Sequence, residues 1–234
     1  MLCALLPGFA GGCASDPRVV ARPNDLKEIF PYVRVSTSAR VVEFDGMVPL
    51  DVHDEQTPLV YLELIACTPD TREHESLVMT RARPSHIHAA LLLIGLEPGS
   101  PGTWRVAGDG FEAVPPTGDA VRVTLAYESG QGEEIAQPAQ RWVVDHRTGR
   151  TLGETGARGW VFAGSLDVQY RGQPFYDADG SGTVIGLTTF GAEVIAWREV
   201  FSHVAAVQTP SWIANASFVP RFGTPIVVRI APAR

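Results

Sequence analysis

Apolar and polar positions alternate along most of this chain, and a period of two predicts strands. Val33-Arg34-Val35 and Arg40-Val41-Val42-Glu43-Phe44 lead into Asp45-Gly46 and then Met47-Val48, which predicts a hairpin turning at Asp45-Gly46. Pro58 to Cys67 is almost continuously apolar and reads as a central strand. Glu73 to Thr80 reads as another, with His74, Ser76 and Val78 on one face and Glu75, Leu77 and Met79 on the other. That alternation separates His74 from Glu75 unless the strand begins only at Ser76. Val121 to Tyr127 alternates cleanly, as a half-exposed strand should, and Gln140 to Val144, Gly159 to Ser165, Thr183 to Leu187 and Ile226 to Ile230 follow. Ala192 to Ala206 fits strand or helix.

Two stretches depart from that period. Asp25 is placed to cap a short helix through Leu26 to Phe30, stopped by Pro31. Pro84-Ser85 opens a longer helix ending at Gly95, with Pro98 and Pro101 barring its continuation. Ile87, Ala90, Leu91 and Ile94 fall at helical spacing, and Leu92 and Leu93 are apolar too, so this helix should be buried on most sides. Residues 14 to about 25 read as linker, and 97 to 118 as a Pro/Gly-rich connection. The expected fold class is α+β: a single strand-rich domain with a mostly antiparallel sheet, one buried helix at about 85–95 and a short N-terminal linker.

The length of 234 residues, with 45% hydrophobic and 19% charged, suits one domain with an ample core. The net charge of −7, with no internal basic run, argues against nucleic acid as a partner. The N-terminus changes the picture most. Met1 to Asp16 is short and apolar with small residues before a cysteine, as at the end of a secretory signal peptide. Ala10-Gly11-Gly12-Cys13 resembles a lipobox, in which the cysteine is acylated; Ala10 stands where Leu is usual, and no Lys or Arg precedes the apolar run. The expectation is an exported, periplasmic domain held to the membrane through lipidated Cys13. Residues 1–12 are then a signal-peptide remnant and 13–39 the lipidated N-terminus and linker. Cys67 is left without a disulfide partner and reads as a buried small hydrophobe.

Candidate chemistry is crowded between Leu62 and Gly99, which holds three of the six histidines. The clusters are Glu73-His74-Glu75-Ser76 and Ser85-His86-Ile87-His88. His74, Glu75, Ser76, Ser85, His86, His88 and Cys67 are the ligand or metal candidates, because they mix acid, base, nucleophile and metal-ligand types. On a helix His86 and His88 lie about 200° apart, which disfavours a double-histidine clamp and leaves the helix start as an anion site. Neither Gly-x-Ser-x-Gly nor His-Glu-x-x-His occurs, cysteines are too few for an iron–sulfur cluster, and no nucleotide motif is present. Asp177, Asp179 and Ser181 copy the first half of a calcium loop, but Thr188 stands where the bidentate acid belongs, and a tight turn between strands explains the glycines as well.

Ala66-Cys67, His74-Glu75-Ser76-Leu77 and Ser85-His86-Ile87-His88-Ala89-Ala90-Leu91-Leu92-Leu93-Ile94-Gly95-Leu96 together resemble the YdjY-domain family of bacterial exported proteins and lipoproteins. The likeness continues through Trp160 to Ser165, Tyr176 to Gly180 and Pro220 to Pro225, and makes 40–234 the YdjY-like domain. The family supplies no reaction. The resemblance implies that the Cys67, His74/Glu75 and His86/His88 regions converge. The expected function is a binding or assembly module whose polar centre holds a small ligand, an anion or a divalent metal ion. A hydrolase with His74 or His88 as base and Glu75 orienting it, and a structural envelope protein, stand beside it.

Overall fold

The computed structural model describes residues 19–108, 110–154, 159–205 and 207–233. The expected signal peptide, Cys3 and the lipidation site Cys13 lie outside the described residues. In chain order the strands are β1 (Lys27–Phe30), β2 (Val33–Ser36), β3 (Val41–Met47), β4 (Leu64–Cys67), β5 (Ser76–Met79), β6 (Thr103–Ala107), β7 (Gly110–Val114), β8 (Ala120–Glu128) and β9 (Glu134–Pro138). There follow β10 (Val143–Asp145), β11 (Trp160–Phe162), β12 (Asp167–Tyr170), β13 (Gln173–Tyr176), β14 (Thr183–Gly186), β15 (Ile195–Trp197), β16 (Trp212–Ala214) and β17 (Pro225–Pro232). The helices are α1 (Pro84–Leu93) and α2 (Asp177–Ser181). Among the described residues no helix is long and apolar enough to cross a membrane.

Eight of these strands close on themselves in the order β3-β17-β8-β11-β15-β14-β4-β5, with β5 returning to β3. This overturns the α+β expectation: the molecule is a mostly-β closed barrel, and α1 is an accessory to it. Most pairings are antiparallel, while β14–β15 and β4–β5 are parallel. Closure leaves no edge between the first and last strands, and a barrel of eight strands is just wide enough to be filled by its own side chains. Alternate residues do the filling. Val42 and Phe44 of β3, Val123 and Leu125 of β8, and Val228 and Ile230 of β17 all belong to one core.

The closing contact depends on Gly46. A side chain there would put its Cβ 2.4 Å from Val78 Cγ1 and 2.9 Å from the Met79 carbonyl oxygen. Asp45-Gly46 is therefore the interior of β3, where β5 comes closest (Met47 opposite Met79), and not the hairpin turn its composition predicts. The chain turns earlier, at 37–40, with Arg40 at φ 54°.

Residues 27–30 form strand β1 and not a helix. A single helical turn is costly to nucleate, whereas β1 gains a ladder with β2 across the Pro31-Tyr32 turn. Asp25, freed from capping, accepts hydrogen bonds from the Ser36 and Ser38 hydroxyls instead. Residues assigned above to the linker thus belong to the sheet. The 97–118 connection contains a β6–β7 hairpin. Helix α1 stands where its capping pattern places it, but only Pro84, Ile87, Ala90 and Leu91 are buried within it, while Leu92 and Leu93 face solvent.

On the outer face of β3 and β17, fully buried Glu43 and Arg229 pair at 2.6 Å. Arg229 also donates to Glu134 of β9 at 2.8 Å, and this guanidinium holds the Glu134 carboxyl below its usual range.

Candidate functional site

Glu63 interrupts the apolar run that ends in β4, and its backbone is held from both sides. Its N–H donates to the Glu75 carbonyl at 3.0 Å, and its own carbonyl accepts from the Leu187 and Thr188 amides at 3.0 and 2.9 Å. The segment Glu73–Glu75 is a 3-10 turn, and strand pairing starts only at Ser76. That boundary removes the alternation that would have parted His74 from Glu75. The Glu73 carboxylate accepts from the Asp70 and Thr71 amides at 2.6 and 2.9 Å, which fixes the approach to the turn and lowers the Glu73 pKa.

Glu63, His74 and Glu75 line a cavity of about 490 Å³. Leu59, Tyr61, Leu62, Phe201 and Trp212 give it apolar walls, and Thr188, Ser202, His203 and Gln208 add polar groups. The Leu62 amide donates to the Trp212 carbonyl at 2.9 Å, tying one wall to the next. Burial pushes the Glu63 carboxyl up to about 7, and a hydrogen bond to Glu75 together with that group's charge adds to the rise. Arg72 opposes it. Glu63 therefore keeps its proton as neutral pH is approached from below. His74 is exposed, with Nε2 3.7 Å from Glu75 Oε1.

Behind the pair, the Arg72 guanidinium lies 3.8 Å above the Phe190 ring, and His203 stacks on the same ring at 4.8 Å. Glu193, 1% exposed, accepts from the Phe190 and Gly191 amides through Oε1. Burial raises its pKa, and the Arg72 charge opposes the rise. Arg72 Nη1 and Glu193 Oε2 are both buried without a hydrogen-bond partner.

The other sequence candidates lie elsewhere. Cys67 is fully buried in β4, and burial pushes its thiol up. Ser76 is buried and donates to the Arg72 carbonyl at 2.7 Å. His86 stacks on Phe30 at 4.5 Å. His88 places Nδ1 2.8 Å from the Tyr176 hydroxyl and 3.1 Å from the Gly164 carbonyl oxygen, and burial lowers its pKa. The two helix histidines therefore serve different neighbours, as their angular separation requires, and neither lines the cavity with His74.

Ser85 donates its N–H to Asp179 Oδ1 at 2.8 Å, and Arg83 Nε donates to Oδ2 at 2.7 Å. Asp179 so caps α1 from α2. Asp177 to Ser181, the calcium candidates, form that short helix and not an extended loop. Among the described residues no group of three His, Cys, Asp or Glu side chains is placed to hold a metal ion.

Glu63, Arg72, Glu193 and His203 were not singled out from the sequence. An acid inside an otherwise apolar strand was the available clue for Glu63; the others are brought in by chain crossing.

The chain matches the model of the YdjY domain over residues 33–231 and belongs to that family. No curated protein and no solved structure matches it.

Proposed function

We propose that the domain is a small-ligand binding module whose site is the cavity over Glu63 and Glu75. The observation that carries this reading is that two carboxylic acids, Glu63 and Glu75, line a cavity whose other walls are largely apolar. Such pockets, with apolar walls and a few convergent polar groups, are the usual form of small-molecule sites. Export and acylation at Cys13 belong to the same proposal, supported by the Ala10-Gly11-Gly12-Cys13 pattern; failure of a lipid label to enter the wild-type chain would remove that part. The pocket itself is tested by a ligand-observed NMR fragment screen. Hits should perturb the Trp212 indole and weaken in Glu75→Gln. Hits that ignore both, or no hits, would sink the reading.

A second reading rests on the same pair. A carboxyl that keeps its proton toward neutral pH, as Glu63 does, beside a second carboxyl can serve as the acid of a hydrolytic acid–base pair. Turnover of nitrophenyl esters, phosphates or glycosides that vanishes in Glu63→Gln would favour it. A silent panel would leave binding alone.

A further inference from the structure

We propose, resting on that reading of the cavity, that its occupant is an organic cation: a primary ammonium on a small aromatic or aliphatic body, seated against Glu63 and Glu75. Charge is the first argument. Glu63 and Glu75 line the cavity, and among the described residues no lysine or arginine lines it with them. The Arg72 guanidinium is stacked on Phe190 and does not line the pocket, so it does not meet a ligand directly. In the empty protein the raised Glu63 pKa keeps a proton where a cation would serve.

Hydrogen bonding is the second argument. Two carboxylates facing one cavity are acceptors only, and an ammonium carries three donors and no acceptor. It can replace the Glu63 proton and bond both groups, with charge-assisted bonds that a neutral hydroxyl cannot match. The walls supply the third argument. Leu59, Tyr61, Leu62, Phe201 and Trp212 offer apolar and aromatic surface to the ligand's body, and aromatic faces attract cations. A bare metal ion would leave those walls unused, and among the described residues no group of three His, Cys, Asp or Glu side chains is placed to hold one. An anion is disfavoured at the pair by repulsion. It is disfavoured at the start of α1 because Asp179 already occupies the Ser85 amide there.

The groups that face or flank the pair are Arg72, His74, His203 and Glu193. Binding of the cation should release the Glu63 proton, so affinity should rise with pH through the range where Glu63 titrates.

The test is calorimetry on the full chain with 2-phenylethylammonium, using 2-phenylethanol and phenylacetate as neutral and anionic matches. The amine should bind about tenfold or more tighter than the alcohol. At about pH 6 its binding should release protons, measured from two buffers of different ionisation heat, and at about pH 8 it should release almost none. Glu75→Gln should weaken the amine by about tenfold and leave the weak alcohol binding within about twofold, which also reports that the variant is folded. Equal or tighter binding of the alcohol or the acetate, with Trp212 perturbed, would overturn the cation and leave the pocket standing. Calcium or zinc displacing the amine from the pair would overturn it in favour of a metal. Failure of every probe and every fragment to reach Trp212 would remove the pocket, and this inference with it.

Discussion

The Glu63 amide donates to the Glu75 carbonyl at 3.0 Å, and the two residues line the same cavity. The backbone bond is what prevents the two charges from moving apart. Like-charged side chains on free loops would separate, whereas here one immediately precedes β4 and the other ends the turn that feeds β5.

That constraint predicts a pH dependence. A carboxyl whose folded pKa is raised, here from 4.5 to about 7, holds its proton more tightly in the native state than in the unfolded chain. Its stabilising contribution is fully present below about pH 4.5 and is lost as pH rises to about 7. The unscreened value would be about 3 kcal/mol, and half-exposure to solvent reduces it to about 1 kcal/mol. Glu63→Gln should therefore flatten the fall of the melting temperature across that window relative to wild type. Parallel wild-type and variant curves would contradict the raised Glu63 pKa.

Asp179 should matter as a helix cap. Replacing it with Ala strands the Ser85 amide and Arg83, and should cost about 1–2 kcal/mol in urea unfolding. Asn keeps an acceptor and should cost less. If Asp179 were instead held ready for calcium, millimolar calcium would raise the melting temperature of wild type and not of Asp179→Asn.

The Glu43–Arg229 pair is fully buried, and removing Arg229 takes the 2.6 Å partner from Glu43 and leaves it Arg34 at 3.2 Å. Arg229→Ala should cost about 3–5 kcal/mol in guanidinium unfolding. The double variant Glu43→Gln/Arg229→Met should recover part of that loss, and a simple sum of the two single effects would argue against a coupled pair.

Gly46 should tolerate no side chain. Gly46→Ala drives its Cβ into Val78 and the Met79 carbonyl and should loosen the β3–β5 closure. The expected result is a loss of about 1–3 kcal/mol, with faster amide exchange at Met47 and Met79 than elsewhere in the barrel. A wild-type exchange pattern would mean that the closure does not depend on this contact.

Cys67 should be inert in the folded chain. Its thiol is fully buried and its pKa is raised, so a thiol reagent should label it only on unfolding.

Local patterns were legible wherever a residue's neighbours in sequence are also its neighbours in space. Helix α1 announces itself by Pro84, its apolar spacing and Gly95, and β8, β14 and β17 by alternation. The separation of His86 from His88 follows from helical pitch alone. Asp45-Gly46 misled because the same dipeptide serves a turn or a close approach, and only the arrival of β5 decides which. The 27–30 segment misled because a cap signal is worth less than a ladder supplied by a strand further along.

The sequence by itself determined that this is one strand-rich chain with a single substantial helix and a chemically dense stretch from Leu62 to Gly99. It also carried enough pattern to identify the YdjY family. Tertiary structure decided that the sheet closes into a barrel, and that Glu63, which no motif marks, meets Glu75 beside Arg72 and Glu193. The reason is range. Periodicity and capping report interactions over a few residues, whereas β14 pairing with β4, or Glu193 approaching Arg72, brings together segments more than a hundred residues apart. Nothing in either segment alone states that distance.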